Sequence, residues 1–478
     1  MARRRPASTT LRVALLGCGN VGLALYELLT EPVQRAALAE RTGLTFDVVG
    51  IAVTSTAPVR STAPWFDASL LTTDAAALVL RPDVDVVVEV MGGIDGTVEL
   101  LEAALRSGAS VVSANKALLA VDVVVEVMGG IDGTVELLEA ALRSGASVVS
   151  ANKALLAVHG RRLSQLAYDH GADLRYEAAV AGAIPILRVL RDALAGEQVH
   201  RVMGIVNGTT NFILSTMAAG GGDYAAVLAE AQRLGLAERD PAADVLGTDA
   251  AAKAAILASL AFDCKVTTKD VHCEGITEVT AADVAFACDL GFAVKLLAVC
   301  ELLDGDELSV RVHPTMVPLE HPLAAVDGAF NAVFVEGASC GELMLYGRGA
   351  GGRPTASAVL GDLVEVARSM RRGGTPDVPL APKVRPRRPL AAIASAFYLT
   401  IDVADRPGVL AEVTAIFGRH GVSIRSMEQL DLAGEARLVF VTHVALEGAM
   451  AATVKDLRRC RVVDRVGTLL RVIEGDQN

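Results

Sequence analysis

Residues 11–22 read LRVALLGCGNVG, and this stretch decides the fold. Leu11 to Leu16 is an apolar run of strand length, Gly17, Gly19 and Gly22 form a G-x-G-x-x-G, and Leu23 to Leu29 has the composition of a helix. A strand that turns through glycines into a helix leaves backbone N–H groups and the positive end of the helix dipole facing an anion, an arrangement that receives a dinucleotide pyrophosphate. A lone glycine triplet is weak evidence, and other nucleotide or flavin sites share it. Here a second apolar strand, Phe46 to Val53, follows the helix and completes the order expected of a Rossmann-type, doubly wound α/β sheet. Gly17, Gly19, Asn20, Val21 and Gly22 are the candidate cofactor contacts.

The end of that second strand bears on cofactor choice. An NAD site usually carries an acid there for the ribose hydroxyls, whereas this chain has Val53, Thr54 and Ser55. The 2′-phosphate of NADP meets no like charge, so NADP or NAD is the expected cofactor. Arg60 can approach such a phosphate and reads equally as a solvated loop arginine.

Downstream, Val84 to Ala120 and Val121 to Ala157 are identical in every residue. Two copies are too few for a solenoid. Each copy reads as strand (VDVVVEV), Gly-Gly turn, helix (TVELLEAALRSG) and strand (SVVSANK). Only the second copy runs on into a helical stretch, His159 to Tyr168. The first is therefore expected to supply the early strand and the second the Asn152-Lys153 end, with surplus residues between.

The chemistry is expected around residues 231–253, AQRLGLAERDPAADVLGTDAAAK. Ala225 to Leu234 reads as a helix stopped by Gly235, and a polar loop containing Pro241 leads to a second helix beginning near Gly247. Asp249 and Lys253 stand four apart on that second helix, whose Ala, Ile and Leu content points to burial. On an exposed helix such a pair is decoration; with Glu238 and Asp244 crowding the same loop, the pattern is that of a site.

This run of Ala231, Gly235, Asp240, Pro241, Asp244, Gly247, Asp249 and Lys253 resembles the signature of the homoserine dehydrogenase family. The resemblance covers nearly the whole chain outside one repeat copy and a linker. It implies interconversion of L-homoserine and L-aspartate 4-semialdehyde in threonine, methionine and isoleucine biosynthesis. It also implies that Asp249 and Lys253 bind substrate and carry acid/base chemistry, that Glu238 holds the substrate amino group, and that Asn207, Gly208 and Thr209 of the NGTTN segment wall the substrate. Lys153, at a strand end beside the cofactor, competes with Lys253 for proton transfer. The resemblance further implies a monovalent cation, sodium or potassium, held by Glu177 and by the carbonyls of Val180, Gly182 and Ile184; a small-residue turn packed under a helix is the plainer reading of that segment. Gly235, Gly349 and Gly351 are further expected cofactor contacts, the last two in a glycine-rich turn before the helix Ser357 to Met370.

The expected organisation is a disordered N-terminus over 1–10, a nucleotide-binding domain over 11–172, an α+β substrate and dimerisation domain over 173–370, a linker over 371–392 rich in proline and arginine, and a tail over 393–478. The tail counts β-α-β-β-α-β, a ferredoxin-like order. It resembles an ACT domain, which implies sensing of threonine and self-association into a dimer or tetramer. A net charge of −12 argues against nucleic acid as a partner. No apolar run reaches membrane-spanning length and no signal segment is visible, so a cytoplasmic protein is expected. A different small-aldehyde reductase, and an amino-acid sensor whose nucleotide domain the repeat has impaired, are the alternatives.

Overall fold

The computed structural model describes residues 10–53, 66–79, 81, 83–89, 123–126, 131, 133–220, 222–372, 383–431 and 435–473. Arg60, Thr54, Ser55, residues 1–9, most of the first repeat copy and residues 373–382 of the expected linker lie outside them. Two compact units emerge, Met1–Ala193 with Arg348–Pro382, and Leu194–Gly347 with Lys383–Asn478.

In the first unit, seven strands among the described residues form a parallel sheet in the order β3-β2-β1-β4-β5-β6-β7. They are β1 (Thr10–Leu16), β2 (Thr45–Ala52), β3 (Leu71–Thr72), β4 (Val86–Glu89), β5 (Val123–Glu126), β6 (Ser147–Ser150) and β7 (Leu174–Arg175). Helix α1 (Asn20–Thr30) follows the glycine turn and buries Leu25 and Leu29 against Leu15. Each such leucine contributes about 1.5–3 kcal/mol of apolar burial. The helix Gly352–Arg372 joins the same core through Ala356, Val359, Leu363 and Val366. The sequence-based boundary had placed this helix with the substrate domain, but its apolar stripe is matched to α1.

The repeat has a definite place in this sheet. β4 comes from the first copy and β5 from the second, and they lie side by side with Val86 opposite Val123 and Glu89 opposite Glu126. The helix Thr134–Arg143, β6 and helix α2 (Lys153–Asp169) all follow from the second copy. The two VVVE strands therefore both occupy the sheet. Because neighbouring strands are about 4.8 Å apart, the extra strand moves the end of β6 that much further from β1.

The second unit is built on a sheet with 11 strands among the described residues. β8 (Val199–Ile205), β10 (Phe292–Leu303), β11 (Glu307–Pro318), β12 (Phe330–Gly337) and β13 (Gly341–Arg348) form one part, with the short β9 (His272–Cys273) beside β11. Helices α3 (Gly208–Ala218) and α4 (Thr248–Ala261) pack on it. The tail supplies β14 (Ala394–Ala404), β15 (Ile424–Asp431), β16 (Glu435–Thr442), β17 (Ala445–Leu446) and β18 (Val463–Val472), with helices α5 (Val409–Arg419) and α6 (Glu447–Leu457). The strand order β15-β16-β14-β18 is the ferredoxin-like one. Val413, Ile416 and Phe417 of α5 enter its core, whereas Leu410 sits at the margin, 36% exposed.

The tail is joined to the rest of this unit by backbone pairing. β18 runs parallel to β11, with Arg471 opposite Thr315 and Val472 opposite Met316. Residues 383–389, read from sequence as a loose linker, lie along β11: Leu308 N donates to Pro386 O (2.9 Å) and Arg388 N to Leu308 O (3.0 Å). Proline keeps this backbone extended, and Arg385 reaches the Phe262 carbonyl at 3.0 Å.

Candidate active site and dinucleotide turn

In the second unit the catalytic candidates converge at the junction of β8 with α3 and at the start of α4. Gly247, at φ +82°, caps α4 and places Asp249 in its first turn and Lys253 one turn later. Both side chains are buried. Lys253 Nζ donates to Asp249 Oδ2 and to the Val206 carbonyl, each at 2.7 Å. Asn207, the cap of α3, donates its amide to Asp249 Oδ2 (2.8 Å) and Asp244 Oδ1 (2.6 Å), while its Oδ1 receives the Thr210 N–H (2.9 Å). One asparagine thus fixes a helix start and holds two carboxylates near a lysine. Thr209 donates its hydroxyl to the Leu236 carbonyl (2.8 Å), tying α3 to the loop after the helix Tyr224–Arg233.

Glu238 has an exposed side chain, and its carbonyl accepts from Gln232 (3.1 Å). Gly235 adopts φ +71° just past the helix end, a conformation explained by helix termination.

In the first unit, Gly17 has φ +108° and donates its N–H to the Ala52 carbonyl (2.8 Å), tying the turn from β1 into α1 to the end of β2. Gly19 is the extended cap of α1, Asn20 and Val21 begin the helix, and Gly22 is buried. The start of the helix Gly352–Arg372 comes to the same place: a side chain at Gly352 would put its Cβ 2.5 Å from the Asn20 carbonyl. Gly349 and Gly351 belong to the turn that brings it there, Gly351 at φ +116°. Two helix N-termini and a glycine turn suit a pyrophosphate. Lys153, exposed, opens α2 at the end of β6. Before it, Ser150 donates to the buried Glu126 carboxylate (2.6 Å), and Asn152 caps α2 by accepting from Leu155 N (3.1 Å).

The expected cation segment is tightly folded. The carboxylate of Glu177 accepts from Leu187 N (2.8 Å) and Arg188 N (2.9 Å), while Glu177 N donates to Asp362 (2.8 Å). Burial, then the neighbouring Asp362 charge, pushes Glu177 up to about 7; burial pushes Asp362 up to about 6. Ala181 and Gly182 both have positive φ, 56° and 55°, and Gly182 lies against the Gly349 carbonyl.

Sequence reasoning missed the role of the Val206 carbonyl, which no side-chain pattern encodes. It also missed Glu126, although the repeated VVVE ending marked an acid at a strand end.

Oxidation at a carbon bearing a hydroxyl needs a seat for a nicotinamide dinucleotide and a group that takes the hydroxyl proton. The glycine turn offers a seat of that kind and the buried Asp249–Lys253 pair is the candidate for that group, an arrangement that suits an NAD(P)-dependent oxidoreductase. Family profiles described as homoserine dehydrogenase, as the NAD-binding domain of homoserine dehydrogenase and as the ACT domain match residues 185–364, residues 17–122 and again 117–177, and residues 397–462. A homoserine dehydrogenase from Corynebacterium glutamicum is 45% identical over 96% of this chain and 95% of its own length. One from Bacillus subtilis is 37% identical over 97% and 98%. The crystal structure of a homoserine dehydrogenase from Thiobacillus denitrificans superposes with a TM-score of 0.81 at 34% identity, covering 97% of this chain and 98% of that one. A hyperthermophilic archaeal homoserine dehydrogenase in complex with NADPH aligns at a TM-score of 0.53 and 25% identity, over 75% and 98%. The chain belongs to the homoserine dehydrogenase family.

Proposed function

We propose that this protein interconverts L-homoserine and L-aspartate 4-semialdehyde with NADP or NAD, and that Lys253 moves the proton. The carrying observation is the placement of Nζ. A lysine ammonium has three N–H donors; two are held by Asp249 and the Val206 carbonyl, and the third is left for a substrate oxygen. In oxidation the neutral amine accepts the hydroxyl proton at Nζ, and in reduction the ammonium returns it to the aldehyde oxygen. When bound, the nicotinamide accepts or supplies the hydride. Asp249 orients Nζ, Asn207 orients Asp249, and Asp244 with Glu238 offers negative charge to the substrate ammonium. Oxidation of homoserine in preference to other small alcohols tests this reading; an equal rate on all of them assigns the protein to a broader reductase class.

Cofactor preference follows from the Gly17 turn and the end of β2. Ala52 and Val53 carry no charge there, so kcat/KM with NADP should equal or exceed that with NAD in parallel initial-rate assays. A preference for NAD of about tenfold or more, some 1.4 kcal/mol, overturns this.

A sodium or potassium ion suits the segment from Glu177 to Ile184. The Glu177 carboxylate is oriented by two backbone N–H groups, and the ligands we assign are Glu177 and the carbonyl oxygens of Val180, Gly182 and Ile184. The successive left-handed residues Ala181 and Gly182 turn the backbone between the Val180 and Ile184 carbonyls. The edge strands β13 and β15, with Tyr346 and Met427 exposed, favour a homo-oligomer. The tail reads as a threonine sensor: threonine should slow homoserine oxidation by the intact enzyme, and a flat titration leaves the tail with another ligand or a structural role alone.

A further inference from the structure

The last strand of the C-terminal domain reaches the segment that packs against the start of α4, the helix carrying Asp249 and Lys253. Arg471 on β18 is buried. Its guanidinium donates to both oxygens of Glu447, the first residue of α6, at 2.9 Å each. It also donates to both oxygens of Glu274, to Oε1 at 2.7 Å and to Oε2 in a second contact. Burial opposes the charge on Glu274, yet the His272 ring and Arg471 hold its pKa down at about 2.

From Glu274 the contacts lead straight to the site. Its N–H donates to the Val312 carbonyl (2.8 Å), and His272 and Cys273 pair beside Arg311 and Val312. The next residue, Gly275, lies so close to the site loop that a Cβ would stand 2.2 Å from the Val245 carbonyl. Ile276 N donates to that same carbonyl (2.8 Å). A Cβ at Gly247 would meet Cys273 Sγ at 3.0 Å and the Glu274 carbonyl at 3.1 Å. Gly247 caps α4, the helix that carries Asp249 and Lys253, and Asp244 precedes it by three residues. Close-packed backbone has no soft layer, so a displacement of Glu274 is passed to the cap. A cavity of about 510 Å³ borders the Arg471 bridge, with Lys455 and Arg459 among its lining residues. The bridge thus has space beside it into which its side chains can shift.

We propose that Arg471 is a positioning residue for the Asp249–Lys253 pair, acting through Glu274 and the backbone of residues 273–275. This makes the C-terminal domain part of the active-site support even without an effector. The inference rests on Asp249 and Lys253 carrying the chemistry.

The test uses full-length Glu274→Gln, Arg471→Lys, Arg471→Met and the Glu274→Gln/Arg471→Met double variant. Each is normalised to active protein by its NADPH-binding stoichiometry. Glu274→Gln should lower kcat about tenfold, within the range of coupling through packed networks, with the KM for NADP unchanged. Arg471→Lys should retain more turnover than Arg471→Met, and the double variant should be no worse than the worse single one, because both changes cut one path. If the arginine variants do not fold, the near-isosteric Glu274→Gln alone decides. Normal normalised kcat in Glu274→Gln, or additive losses in the double variant, overturns the proposal. Normal turnover in Lys253→Ala instead overturns the assignment of the chemistry, so the two failures are distinguishable.

Discussion

Replacing Lys253 with alanine is expected to lower kcat for homoserine oxidation by about three orders of magnitude, within the range for loss of a general acid or base. NADPH binding, followed by fluorescence titration, should stay near normal, since the glycine turn belongs to a different unit of the chain. The loss should appear in kcat because Nζ acts at the oxygen whose bonding changes, and the homoserine KM should move less. Asp249→Ala is expected to cost about a hundredfold by leaving Nζ misdirected. It should also lower Tm, since removing one partner of a buried ion pair costs about 3–5 kcal/mol. Near-normal turnover in Lys253→Ala hands proton transfer to Lys153.

Much of this was legible in the sequence wherever local spacing determines geometry. Gly17, Gly19 and Gly22 lie between a strand and a helix, and the structure has them turning from β1 into α1. Asp249 and Lys253, four apart on a helix, do share a face and a hydrogen bond. Contacts between distant segments were not legible. Asn207 is separated from Asp249 by 42 residues and Arg471 from Glu274 by 197, and no periodicity links them. The linker shows the same limit: its proline- and arginine-rich composition says nothing of a partner, whereas Leu308 pairs with its backbone.

Deleting one of the two identical runs, for example Asp122 to Val158, is expected to give a more soluble enzyme with kcat/KM higher by at least about tenfold. The sheet registers show why the shortened chain can close without rearrangement. β1 pairs with β4 so that Val13 faces Val86 and Leu16 faces Glu89, and β6 pairs with β5 so that Ser147 faces Val123 and Ser150 faces Glu126. Val86 and Val123 hold equivalent places in the two copies, so a single VVVE strand can satisfy both neighbours in their existing registers. Excision therefore removes a strand but leaves no mismatched edge. In the shortened chain Asn115 and Lys116 of the retained run take the places of Asn152 and Lys153, and that end should lie closer to the Gly17 turn by one strand spacing, about 4.8 Å. Misplacement by about 1 Å can cost a hundredfold in rate, which is why a gain is expected. Identical neighbouring strands also allow exchange between pairings of nearly equal local energy, a source of heterogeneous or aggregating product that the deletion removes. In the full-length chain, Lys153→Ala should reduce turnover and Lys116→Ala should not, because only Lys153 leads into α2. Soluble yield, gel filtration and steady-state kinetics on the deletion variant check the argument. A deletion that abolishes activity while the protein stays folded would show that both VVVE strands belong to the working sheet.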